Sequence, residues 1–222
     1  MRRDPLQEWL RHVGPAADPD TAYDAVWYDL CPDGTVRRPD GTAPCRGSLA
    51  DGFAPGMDYQ GWTLRGDTWE FAGNNAFDGV FFAHEGNIKV SGSPGSAGTP
   101  WTVTLMASGS GPEGDVATGD ITISGSAVMA PMITDLALLA RRDLDLTGTP
   151  GQGLNGLVAA HEQVRAAGHV SIVGSIVAED AGDSPGSPVH ANGVAGTVSL
   201  VYDGGIEVPI GSVIRTTLWL EL

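Results

Sequence analysis

Asp120-Ile121-Thr122-Ile123-Ser124-Gly125 alternates polar with aliphatic residues and stops on a glycine. The arrangement returns as Asn87-Ile88-Lys89-Val90-Ser91-Gly92, Asp143-Leu144-Asp145-Leu146-Thr147-Gly148 and His169-Val170-Ser171-Ile172-Val173-Gly174, and less sharply as Thr197-Val198-Ser199-Leu200-Val201. Side chains along a strand alternate between faces. The pairs Ile88/Val90, Ile121/Ile123, Leu144/Leu146, Val170/Ile172 and Val198/Leu200 are therefore expected to face one interior. A second family precedes the first and aligns on alanine: Val80-Phe81-Phe82-Ala83, Thr104-Leu105-Met106-Ala107, Ala137-Leu138-Leu139-Ala140, Leu157-Val158-Ala159-Ala160 and Ser175-Ile176-Val177-Ala178.

Two strand families recurring within the roughly 20–50-residue period of stacked repeats predict an all-β chain. The expected fold is a right-handed parallel β-helix (β-solenoid), its hand set by the crossover rule. Residues 76–222 form the solenoid, and residues 1–75 a mostly irregular N-terminal cap. The cap carries one short amphipathic helix over residues 4–13: Asp4 caps, Pro5 suits the first turn, and Leu6, Trp9, Leu10 and Val13 share a face. Val213 to Leu222 alternates again and is expected to close or pair with the last coil. The Gly-, Ser- and Pro-rich stretches 109–118 and 181–192 are expected to be exposed loops.

The 12 basic against 27 acidic residues give a net charge of -15, which disfavours nucleic acid and anionic lipid as partners. The 32 glycines are about twice the average share, but without a collagen period they are assigned to turns. No apolar run is long enough for a membrane span; Ala127 to Ala140 is short and contains Asp135. Met1-Arg2-Arg3-Asp4 is not followed by the apolar core of a signal peptide. Cys31 and Cys45 bracket two tight turns, Pro32-Asp33-Gly34-Thr35 and Pro39-Asp40-Gly41-Thr42. Their spacing fits no zinc or thioredoxin motif, so a disulfide, and with it an oxidising compartment, is expected.

In register, the outward columns of the first family read Asn87/Asp120/Asp143/His169/Thr197 and Lys89/Thr122/Asp145/Ser171/Ser199. Asp120, Asp143 and Asp145 then form an acidic cluster, the candidate binding surface. In an enzyme they would act as acid, base or calcium ligands on a glycan; otherwise they are a solvated polar face. His84 and His161, each followed by glutamate, occupy equivalent corners and are further binding candidates, since a His-Glu step could hold a metal or relay protons. About 14 Å of intervening strands keeps them from sharing an ion, so corner hydrogen bonding is the plainer role. No metal site or cofactor is expected, calcium being the one cation considered. The column Phe82, Met106, Leu139, Ala159 and Val177 is apolar and needs a cover, for which the N-terminal segment or a partner protein is available. Serine-hydrolase, phosphate-binding, zincin and dinucleotide motifs are absent from the sequence.

The runs from Gly79 to Gly95, Trp101 to Leu105 and Asn155 to Gln163 resemble bacterial exported β-solenoid proteins of the pilus-assembly, minor-pilin-like surface type. The resemblance spans about two-thirds of the chain and implies an extracytoplasmic structural or adhesive part with no catalytic residues. Three functions are therefore expected in order: a non-catalytic surface or pilus-associated module, a polysaccharide lyase or hydrolase using the acidic face, and a self-assembling filament scaffold. The first implies that Asp143→Asn is silent.

Overall fold

The computed structural model describes residues 26–40, 43–74, 77–112, 114–148, 153–180 and 182–202. The helix expected over 4–13 and the strand expected over 213–222 lie outside them. The described residues contain strands β1 (Trp27–Leu30), β2 (Val36–Arg37), β3 (Trp62–Arg65), β4 (Thr68–Phe71), β5 (Gly79–Ala83), β6 (Asn87–Val90) and β7 (Trp101–Ala107). They continue with β8 (Ile121–Ile123), β9 (Met129–Ala130), β10 (Leu136–Ala140), β11 (Leu144–Leu146), β12 (Leu154–Ala160), β13 (Val164–Ala178) and β14 (Gly193–Val201). No α-helix occurs among them.

One parallel ladder runs β1-β5-β7-β10-β12-β13. The other runs β4-β6-β8-β11-β13-β14, also parallel. The 15-residue β13 belongs to both: its first residues pair with β11 and its last seven with β12. The ladders face each other, and Phe81, Leu105, Leu138 and Val158 from one share a single core with Ile88, Ile121, Leu144 and Val164 from the other. Strands β6 and β8 show the expected alternation of buried and half-buried residues. β5 is buried on both faces, because Phe82 and Met106 join a second apolar cluster with Trp27, Ile133 and Leu136.

The right-handed parallel β-helix with an irregular cap is thereby corrected. All fourteen strands belong to one mixed sheet, in which β9 and β10 both pair with β7 and β12 and so close a ring of four parallel strands. Antiparallel pairs β1/β2 and β3/β4 end the ladders. Within the segment expected to be irregular, Trp27, Tyr28, Trp62, Trp69 and Phe71 are strand residues. Trp62, Trp69 and Phe71 bury completely, and Phe71 stacks on Trp101 with ring centroids 5.2 Å apart. Large flat side chains suit a pleated, buried surface, so these segments extend the ladders although they share no pattern with the later strands.

The alanine alignment matches the register: Ala83, Ala107, Ala140, Ala160 and Ala178 are successive partners. The other family departs at its fourth member. Leu144, Asp145 and Leu146 pair with Val164, Arg165 and Ala166, whereas His169 to Val173 pair with Thr197 to Val201. Val164-Arg165-Ala166-Ala167-Gly168 is thus the continuing segment, and its small residues hid it.

The glycine that ends each segment has a steric cause. Gly92, Gly125 and Gly148 stack at one corner, and a Cβ on Gly125 would stand 1.7 Å from the Gly92 carbonyl oxygen. Gly125→Ala is expected to destabilise the fold by about 1–3 kcal/mol, while Gly98→Ala, which meets nothing within 4 Å, should be near neutral. Chemical denaturation of the two variants decides; equal midpoints would refute the packing argument.

Candidate functional site

Asn87 at the start of β6, and Asp120 and Asp143 just before β8 and β11, carry short acceptor side chains, and each of the three reaches the next level. Asn87 Oδ1 accepts from the amides of Gly119 (2.9 Å) and Asp120 (3.0 Å). Asp120 Oδ1 accepts from the Asp143 amide at 3.2 Å, and Asp143 Oδ1 from the Gln163 amide at 3.0 Å. Backbone N–H groups entering a strand need partners when buried, and this column supplies them.

The predicted acidic residues are therefore brought near one another, but not as open carboxylates. Asp120 is held by a two-pronged contact from Arg142, whose Nε lies 2.6 Å from Oδ1 and whose Nη2 meets Oδ2. Both side chains are buried, and the hydrogen bonds to Asp120 raise the Arg142 pKa above its ordinary value against the opposing effect of burial. Asp143, fully buried, also accepts at Oδ2 from the Ser187 hydroxyl and from the Val189 amide at 3.0 Å. Burial pushes its carboxyl pKa up; these three hydrogen bonds oppose the shift and the Asp120 charge adds to it. Asp145 pairs with Arg165, at 2.9 and 2.6 Å, on a more exposed face.

The loops expected to protrude are partly anchored by the same network. Arg142 Nη1 donates to the Val116 carbonyl at 3.0 Å, and the Val116 amide donates to Ser184 Oγ at 3.1 Å. Ser184 in turn donates from its amide (3.0 Å) and its hydroxyl (2.5 Å) to the buried Glu162 carboxylate. Arg142, Ser184 and Ser187 were not among the candidate site residues, and Glu162 was noted only as the glutamate after His161. The usable signal was Arg142 itself, a cation standing where the preceding turns have Gly86 and Gly119.

His84 and His161 directly follow β5 and β12 and stay apart, with β7 and β10 between them. His84 Nε2 lies 3.2 Å from Asp29 Oδ1, both side chains being buried, and its ring contacts Phe82. His161 Nε2 lies 3.4 Å from Glu179, and its Nδ1 is 2.7 Å from Arg141 Nη1. Cys31 and Cys45 form the expected disulfide, with Cα atoms 5.7 Å apart. It agrees with an extracytoplasmic location. Among the described residues, no helix is long and apolar enough to cross a membrane.

No family model and no curated protein matches the chain. Among solved structures, it is similar to the crystal structure of the competence-associated pilin ComZ from Thermus thermophilus, at 18% identity and a TM-score of 0.36. The match covers 64% of this chain and 28% of that one, just over a quarter of the pilin's length. A likeness this slight carries no functional argument.

Two measurements follow from the network. Arg142→Met leaves the Asp120 carboxylate buried without its partner and is expected to cost about 3–5 kcal/mol, whereas Arg165→Met removes a cation whose own side chain is 44% exposed and opens the buried Asp145 carboxylate to water, so a smaller loss is expected. Similar losses in both would contradict the burial argument. Asp143→Asn is no longer expected to be silent. Because the folded state raises the Asp143 pKa above 3.8, the stabilising effect of its proton is complete below that value and is lost as pH rises through the folded pKa. Wild-type stability relative to Asp143→Asn should therefore decline as pH is raised from about 4, and a pH-independent difference would refute the shift.

Proposed function

We propose that this chain is a non-catalytic structural module of an extracytoplasmic surface or pilus-associated assembly, and that β14 is its assembling edge. The observation that carries this reading is the state of β14. Among the described residues this nine-residue strand pairs with β13 alone and holds no charged residue, in a chain of net charge -15. Val194, Leu200, Val201 and the adjoining Tyr202 are exposed. Solitary proteins usually blunt such an edge with charge, proline or a bulge; β14 has none of these, and among the described residues its outer side carries no strand, an edge suited to a further one. The disulfide supports the compartment.

The opposite ends of the two ladders are the short antiparallel hairpins β1/β2 and β3/β4. Two copies meeting through β14 alone form a closed pair rather than a filament. A polysaccharide-cleaving role finds less support, because Asp120, Asp143 and Asp145 are engaged by Arg142, Arg165 and the 184–189 segment.

Sedimentation velocity across a concentration series tests the reading. The wild-type chain is expected to associate, and Leu200→Lys, which places a charge on the exposed strand, to weaken association at least about tenfold with an unchanged melting temperature. A wild-type chain that neither self-associates nor captures an added peptide of β14 sequence would overturn it.

A further inference from the structure

The disulfide is built against a buried histidine and carboxylate, an arrangement the structural role does not require. Asp29, Cys45 and His84 each present one donor atom, and the three lie within 4.8 Å of one another. Cys31 Sγ is bonded to Cys45 Sγ and so lies next to this group, although it is not itself within 4.8 Å of all three atoms and would join them only by turning once the bond is broken. Three of the four positions are fixed by the parallel pairing of β1 with β5. Asp29 lies in β1 and His84 directly follows β5, whose residues Leu30 and Ala83 are partners; Cys31 directly follows Leu30. Only Cys45 arrives on a loop, and Asp29 Oδ2 holds that loop by accepting from the Cys45 amide at 3.0 Å. With the sulfurs joined, neither can act as thiolate. Separated, they would complete a set of two sulfurs, one imidazole nitrogen and one carboxylate oxygen, which suits four-coordinate zinc.

We propose that reduction of Cys31–Cys45 turns this corner into a zinc-binding site formed by Cys31, Cys45, His84 and Asp29. The loop between the cysteines is then closed by a covalent bond under oxidising conditions and by a divalent ion under reducing ones. A dithiol supplies the two electrons and two protons. One of its thiolates attacks Cys45 Sγ, the less buried sulfur, and Cys31 leaves and takes a proton. The second thiol of the reductant then displaces Cys45 from the mixed disulfide, and the reductant departs as its own disulfide. Zinc binding releases the two cysteine protons to solvent, and His84 coordinates as neutral imidazole.

The hydrogen bond between His84 and Asp29 competes with ligation, so binding exchanges one contact for two metal bonds. Phe82, whose ring centroid lies 4.0 Å from that of His84, limits water at the ion and favours a closed, structural site over an open catalytic one.

The full chain, reduced with a phosphine that does not bind metals, should take up one Co2+ per chain. Tetrahedral d–d absorption and a thiolate-to-cobalt charge-transfer band should appear and then vanish on adding Zn2+. The oxidised chain should show neither band. Zinc-edge X-ray absorption of the loaded wild-type chain should count two sulfur and two nitrogen or oxygen neighbours, a readout that needs no variant. His84→Ala should weaken Co2+ binding by more than the roughly 10–100-fold typical of losing an outer-shell partner. Absence of the charge-transfer band in the reduced chain would overturn the proposal. So would equal binding by the oxidised chain, or a sulfur count below two.

Discussion

Each level of the second ladder must give its first backbone N–H to an acceptor before the aliphatic interior can close, and the Asn87-Asp120-Asp143 column meets that demand. Every side chain in it reaches forward by one level. The register so fixed keeps Ile88, Ile121 and Leu144 over one another and turned toward Phe81, Leu105 and Leu138 in the shared core. A slip of one residue would turn the apolar set outward. The polar column and the greasy interior are two sides of one requirement.

Meeting that requirement with aspartate brings charge into the interior, and the chain answers unevenly. Asp120 receives a full partner in Arg142, buried with it. Asp143 receives only neutral donors, from Gln163, Ser187 and Val189, and burial leaves its proton held more tightly than usual. Glu162 is likewise served by Ser184. The segment 184–189 is thus fastened by carboxylates that a sequence reading takes for a surface, and polarity alone is a poor guide to exposure where loops fold back.

The sequence revealed most where side-chain size and period were unambiguous. The five alanines fall in register as aligned, since small residues repeated beside large ones leave a sharp pattern. The segment from Val164 to Gly168 escaped because Ala166 and Ala167 carry little aliphatic signal, and the stronger run after His169 took its place. That one displacement also hid the pairing of Asp145 with Arg165. The strands before Gly79 were hidden for another reason: their aromatic residues fill the core by volume, without the aliphatic alternation that marks the later ones. The expected acidic face arose from assigning Asp120 and Asp143 outward to water when each turns along the ladder to its neighbour. For Cys31 and Cys45, spacing was enough to expect the bond, but only the pairing of β1 with β5 places His84 and Asp29 beside it.

β13 is one strand shared by both layers. A pull applied at Val201 is borne along the length of β14, where nine residue pairs with β13 resist together in shear. From β13 the load divides, through Val164 to Ala166 into one layer and through Ile172 to Ala178 into the other. Neither layer can be peeled away while the other holds, so the molecule is suited to transmit tension along its strands.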